Sequence, residues 1–184
     1  MPRNAPPPVV LLGDFHVEGN PAREIGGFPV INMGIEEDRL DDPCGGMLKR
    51  LHLLPMAHPA HVVIQTGLND ICENKDPVSI ESCLRQVVAE IRKLVPQSTI
   101  HIASLPPTRD KYSRYMRNIA ITNAILEEFA ESHHLSFVDL FSLLEDDDGN
   151  LAQNYTSDGG HLNETGYEAV NEMLEKHLKE GVAY

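Results

Sequence analysis

The amino-acid sequence predicts an α/β fold. It reads as a three-layer α/β/α sandwich on about five parallel strands, in one domain over residues 1–184, with 1–7 as an extended lead-in. Three observations carry that prediction. Short β-branched runs, bounded by Gly, Pro or polar residues, have the continuous apolar character of strands buried on both faces. Helical periods alternate with them, which calls for right-handed crossovers and a parallel sheet. Polar, glycine-bearing segments follow directly on strands, where such sheets open their ligand crevice.

The elements follow in order. The proline run in MPRNAPPPVV favours extended chain, and the first strand is Pro8–Leu12. The second is Phe28–Asn32, and a short helix over Gly46–Leu54 separates it from the third, His61–Thr66. From Pro77 to Val95 the residues Ile80, Leu84, Val87, Ile91 and Leu94 recur at three and four, one apolar stripe facing a sheet. Asp76 is the expected N-cap, Pro77 the first helical residue and Pro96 the stop. The fourth strand is Ser98–Leu105. A second long helix, Tyr112–His133, turns Ile119, Leu126, Phe129 and Ala130 inward, with His133 and His134 at its C-terminus. Leu135–Leu140 is the fifth strand. The last helix, Thr165–Leu178, buries Tyr167, Val170, Leu174 and Leu178, with Thr165 and Glu168 at capping-box spacing.

Composition narrows the function. Against 15 Lys and Arg stand 28 Asp and Glu, a net charge of −13, and no basic cluster is present to neutralise phosphates. This speaks against nucleic acid and against anionic membrane surfaces. The longest apolar runs, Val9–Leu12 and Val62–Ile64, are strand-sized. Cys44, Cys72 and Cys83 match neither a zinc spacing nor a disulfide framework, so a reducing, cytoplasmic compartment is expected. Without a signal peptide the sequons at Asn154 and Asn163 read as chance. His58, His61, His133 and His134 fit no zinc spacing, and Glu145–Asn150 lacks calcium-loop spacing and reads as an acidic turn. No metal or cofactor is expected.

Segments at the strand ends carry the candidate chemistry. In Asp158-Gly159-Gly160-His161 a carboxylate stands three residues before an imidazole. Across a tight turn it would fix the ring tautomer and stabilise the imidazolium, a general-base pair. The plainer reading is a glycine turn with an exposed histidine and a capping aspartate. In Gly67-Leu68-Asn69-Asp70 the Asn69 amide can donate to a developing oxyanion, and Gly67 would let a ligand approach the backbone. The plainer reading is a polar turn. At Gly13-Asp14 the first strand exits sharply, so residue 15 projects into the crevice and offers its backbone N–H.

Together these segments resemble the SGNH, or GDSL, hydrolase family, in its clade of small single-domain esterases and acylhydrolases. The family's Gly-Asp-Ser block matches Gly13-Asp14-Phe15, and its Asn-x-x-Ile-x-Gly-Asp block matches Asn32 to Asp38. Its Gly-x-Asn-Asp block matches Gly67 to Asp70, and its Asp-x-x-His block matches Asp158 to His161, followed by Leu162-Asn163 and Gly166-Tyr167. SLPPT, Ser104–Thr108, also fits. The resemblance implies a flavodoxin-like SGNH-hydrolase fold and an ester (acyl) hydrolase of the serine type. His161 would be its base and Asp158 the group that orients the base. Its oxyanion hole would come from the residue-15 N–H, an N–H of the second block and Asn69.

Two positions depart from that pattern. Phe15 stands where the nucleophilic serine is implied, and Glu37 where the oxyanion-hole glycine is implied; Gly34 could serve only with a shifted loop register. A phenyl ring has no lone pair, and a carboxylate beside a forming oxyanion repels it. Cys44 and Cys72 read as packing residues rather than substitute nucleophiles, and His16 as a solvated loop residue. The expectation is a hydrolase-like protein, inactive or very weak by the Ser-His-Asp route. It would bind a small ester-like, acetylated or glycosidic ligand, or a protein partner. The alternative is an esterase using water activated by His161 and Asp158, or another nucleophile.

Overall fold

The computed structural model describes residues 6–40 and 46–180. The first five residues of the lead-in and Cys44 lie outside the described residues. The strands are β1 (Val9–Gly13), β2 (Glu24–Ile25), β3 (Phe28–Gly34), β4 (His61–Gln65), β5 (Thr99–Ala103) and β6 (Ser136–Val138). They form one sheet in the order β2-β3-β1-β4-β5-β6. Pairing from β3 through β6 is parallel throughout, so the five expected strands are present in the expected sense.

The alternation of side chains explains why these runs become central strands. Val10, Leu12, Val62, Ile64, Ile100 and Ile102 enter one core; Val9, Leu11, Val63, Ala103 and Val138 enter the other. A period of two with apolar residues at both phases can be satisfied only between two helical layers. On the first face lie α2 (Gly46–Arg50), α3 (Leu54–Ala57), α5 (Pro77–Leu94) and α6 (Met116–Ser132). The second is covered mainly by α8 (Glu164–Glu180), with α1 (Phe15–Glu18) and α7 (Leu140–Leu144). The remaining short helix, α4 (Leu68–Cys72), follows β4. The stripe expected on α5 is buried at Ile80, Leu84, Val87 and Ile91, and Asp76 accepts a hydrogen bond from the Val78 N–H at 2.9 Å as its N-cap.

The structure corrects several element boundaries. A sixth strand, β2, pairs antiparallel with β3 through a two-residue turn at Gly26 and Gly27, both at positive φ (62° and 89°). That is the turn geometry two glycines supply for a tight hairpin. The helix expected over Gly46–Leu54 is broken by a 3₁₀ turn at Leu51–Leu53, after which α3 restarts with Pro55 in its first turn. Proline lacks the N–H that would continue the helix and clashes with the preceding turn. The Tyr112–His133 helix is likewise two elements, a 3₁₀ segment over Asp110–Tyr115 and then α6. Helix α8 is capped by Asn163, whose Oδ1 accepts from the Gly166 N–H at 3.0 Å, in place of the expected Thr165. The chain leaves β1 for β3 on one side and returns to β4 on the other. The crevice therefore opens at the carboxyl ends of these strands, where strand order reverses.

Candidate active site

Gly13 ends β1 in a turn with no room for a side chain: a Cβ there would lie 2.0 Å from the Gln65 carbonyl oxygen and 2.4 Å from Val17. Asp14 then caps α1, its Oδ1 accepting from the His16 N–H at 3.2 Å. This tight exit turns Phe15 out to the crevice and His16 in. Asp14 is buried and serves as a cap, off the crevice lining. Burial pushes its carboxyl up to about 7, against the pull of the His16 and Leu68 amides and with help from the charges of Asp38 and Asp70. His16, expected as a solvated residue, is 2 % exposed, and neither ring nitrogen meets a hydrogen-bonding protein group. Burial, reinforced by His161 and opposed by Asp158, lowers its pKa to about 3, so the ring is neutral. Sequence reading missed this because only the cap geometry decides which of two adjacent rings faces inward.

The segment from 156 to 161 builds the imidazole site. Asp158 Oδ1 accepts from the N–H groups of Gly160 (3.0 Å) and His161 (2.8 Å), and its Oδ2 accepts from His161 Nδ1 at 2.7 Å. Partial desolvation disfavours charge on Asp158. The Gly160 amide, the His161 ring and the His161 amide outweigh it, holding the carboxyl well below the usual carboxylate range. An ionised carboxylate only accepts, so Nδ1 carries the proton and Nε2 is left as the ring's acceptor. Gly159 has φ +88°, and a Cβ there would meet the Arg109 carbonyl oxygen at 2.8 Å. Thr156, which sequence reading passed over, ties the turn: its Oγ1 donates to the His161 carbonyl at 2.6 Å and accepts from the Gly159 N–H at 3.0 Å.

Phe15 and His161 come together in the crevice, ring centroids 5.0 Å apart and tilted 60°. The cavity has a volume of about 470 Å³. Phe15, Leu68, Asn69, Cys72, Gly160 and His161 line it, together with Glu36, Glu37, Arg39 and Glu73. Thr108, Tyr112 and Tyr115 complete the wall. The two tyrosines were not anticipated; their spacing of three in KYSRY, on the 3₁₀ segment before α6, was the available signal.

Other candidate residues take different positions. Gly67 is buried at φ +120° and lies off the crevice; the left-handed backbone requires glycine, not ligand approach. Gly34 donates its N–H to Asn32 Oδ1 at 2.8 Å, and a Cβ there would lie 2.2 Å from the Glu18 nitrogen. It allows close packing of α1 on β3, and its N–H is already committed. Asn69 Nδ2 donates to the carbonyls of Glu36 (2.7 Å) and Asp38 (2.9 Å). As first residue of α1, Phe15 has an N–H of the kind a helix leaves without an internal partner. Among the described residues no group of three or more His, Cys, Asp or Glu side chains is arranged to hold a metal ion. Nor is any helix among them long and apolar enough to cross a membrane.

A mostly parallel sheet between two helical layers, with a carboxylate-oriented imidazole at its crevice, defines an α/β/α protein of the doubly wound class. The chain belongs to the GDSL-like lipase/acylhydrolase family, whose model matches residues 17–169. Similar solved structures include a GDSL-like lipase from Bacteroides thetaiotaomicron (21 % identity, TM-score 0.73, covering 95 % of this chain and 88 % of that one). A member of the lipolytic G-D-S-L family from Veillonella parvula is also similar (16 %, TM-score 0.76, 94 % and 98 %). So is an acetylxylan esterase from Geobacillus stearothermophilus (19 %, TM-score 0.70, 91 % and 92 %). At these identities the likeness speaks for the fold. A 93-residue stretch is 34 % identical to an N-acylneuraminate cytidylyltransferase of Escherichia coli, covering 50 % of this chain and 22 % of that protein's length.

Proposed function

We propose that this protein is an esterase-type member of its family in which Phe15 occupies the nucleophile position. Acyl hydrolysis by a Ser-His-Asp route would then be absent or very weak, and the crevice would act as a binding site for a small ester-like, acetylated or glycosidic ligand. The observation that carries the reading is the 5.0 Å approach of the Phe15 ring to the His161 imidazole. A hydroxyl poised for His161 would occupy that space, and a phenyl ring there neither attacks a carbonyl nor yields a proton. Removing a serine nucleophile from such a triad costs on the order of 10⁶ in turnover. An acetylxylan esterase and an aryl esterase share the fold, which is the support for an ester or acetylated ligand.

A second reading has its own observation. The cavity beside His161 has room for water, and Asp158 keeps Nε2 as an acceptor. His161 would then draw a proton from water as the water attacks the ester directly, without an acyl-enzyme. The test is hydrolysis of p-nitrophenyl acetate by the full chain and by His161→Ala. Under the first reading the two rates are equal and close to background. Turnover that disappears in His161→Ala overturns it in favour of the water route.

A further inference from the structure

We infer that Asn69 is a positioning residue that clamps the loop from Ile35 to Leu40, and that it has no N–H to offer an oxyanion. The crevice has thereby lost its side-chain oxyanion contact independently of its nucleophile. The inference rests on the proposed function only for what Asn69 would otherwise do; the clamp rests on its own hydrogen bonds. A primary amide has two N–H groups. Asn69 spends both, on the Glu36 carbonyl at 2.7 Å and the Asp38 carbonyl at 2.9 Å.

Neighbouring contacts hold the same loop from every side. The Ile35 N–H donates to the Gly13 carbonyl at 3.0 Å, and the Asp38 N–H turns back to Ile35 at 2.9 Å. The Leu40 N–H donates to Asp70 Oδ2 at 3.1 Å, so adjacent residues of the third block grip both halves of the loop. Asp38 is paired with Arg50 at 2.5 Å, and Arg39 with Glu73. A donor that serves an oxyanion must stand free at about 2.7–3.1 Å from where that oxygen will form. Turning one Asn69 N–H toward the crevice would strand a loop carbonyl. Gly34 cannot substitute, its N–H being held by Asn32. The same loop places Glu36 and Glu37 along the crevice lining.

The side-chain N–H signals of Asn69 report the clamp directly in the full, unmodified chain. Both protons are expected to exchange with water at least about tenfold more slowly than those of the exposed Asn154, by proton–nitrogen NMR. Either Asn69 proton exchanging at the Asn154 rate overturns the inference. In Asn69→Ala the backbone amides of Asp38 and Leu40 are expected to exchange about tenfold faster while those of β1 and β4 keep their protection. Unchanged exchange at Asp38 and Leu40 also overturns it. His161-dependent hydrolysis by the unmodified protein would defeat the proposed function and leave these rates as they are, so the two failures are separable.

Discussion

The ring of Phe15 packs against the imidazole of His161 at 5.0 Å between centroids, side by side in the lining of one crevice and 146 positions apart in the chain. Phe15 reaches that position because Asp14 caps α1 and turns the chain sharply at the end of β1. His161 reaches it because Asp158 gathers its own turn. Each side chain is aimed by the aspartate before it, and Phe15 also touches His16 behind it, at 4.2 Å.

The imidazole's tautomer is expected to depend on Asp158. In Asp158→Asn the remaining carbonyl can still accept from Gly160 and His161, so the turn is kept, but the amide cannot replace the acceptor at Nδ1. Nitrogen NMR of neutral His161 should show the Nδ1–H form in the unmodified protein and a mixed population in the variant. Identical spectra would mean that the 2.7 Å contact does not set the tautomer.

Stability is expected to rise with pH on the acid side up to about 6.5, and the sign follows chiefly from His16, His101 and Asp14. His16 and His101 have folded pKa values of about 3, against an ordinary 6.5. For His101 the cause is burial, with His61 and His177 adding to it. The folded state therefore binds fewer protons than the unfolded one between pH 3 and 6.5, and each group removes about 1.4 kcal/mol per pH unit as pH falls through that range. Asp14, raised from 3.8 to about 7, acts oppositely: its contribution is present below 3.8 and fades as pH rises through 7. Two groups outweigh one on the acid side. Urea titrations from pH 4.5 to 8 should show stability rising with pH up to about 6.5, with His61, also lowered by burial, adding to the rise. In the double variant His16→Leu, His101→Leu the acid-side rise should be largely lost, His61 and Asp14 then opposing each other.

Arg50→Ala is expected to destabilise the fold by about 3–5 kcal/mol, because it strands Asp38 as a buried, unpaired charge. Arg50 also donates to the carbonyls of Met33 (3.0 Å) and Gly13 (3.2 Å), so it joins the ends of β1 and β3 to the loop. The pair is 12 % and 4 % exposed at its side chains, too buried for solvent to take over. A chemical melt within 1 kcal/mol of the unmodified protein would contradict this.

Strand runs, the α5 stripe and the four polar segments at the crevice were legible in the sequence, because each depends on local periodicity or on a short spacing. Period two at both phases names a doubly covered strand wherever it occurs, and Asp158 and His161 are close enough along the chain for one turn to join them. Contacts between distant segments were not legible. That Asn69 spends its amide on Glu36 and Asp38, that Gly34 is needed for packing against Glu18, and that His16 is buried all depend on which surfaces the sheet brings together. A side chain's residue type states what bonds it can make. Only the folded chain, by choosing its neighbours, decides which of those bonds are already taken.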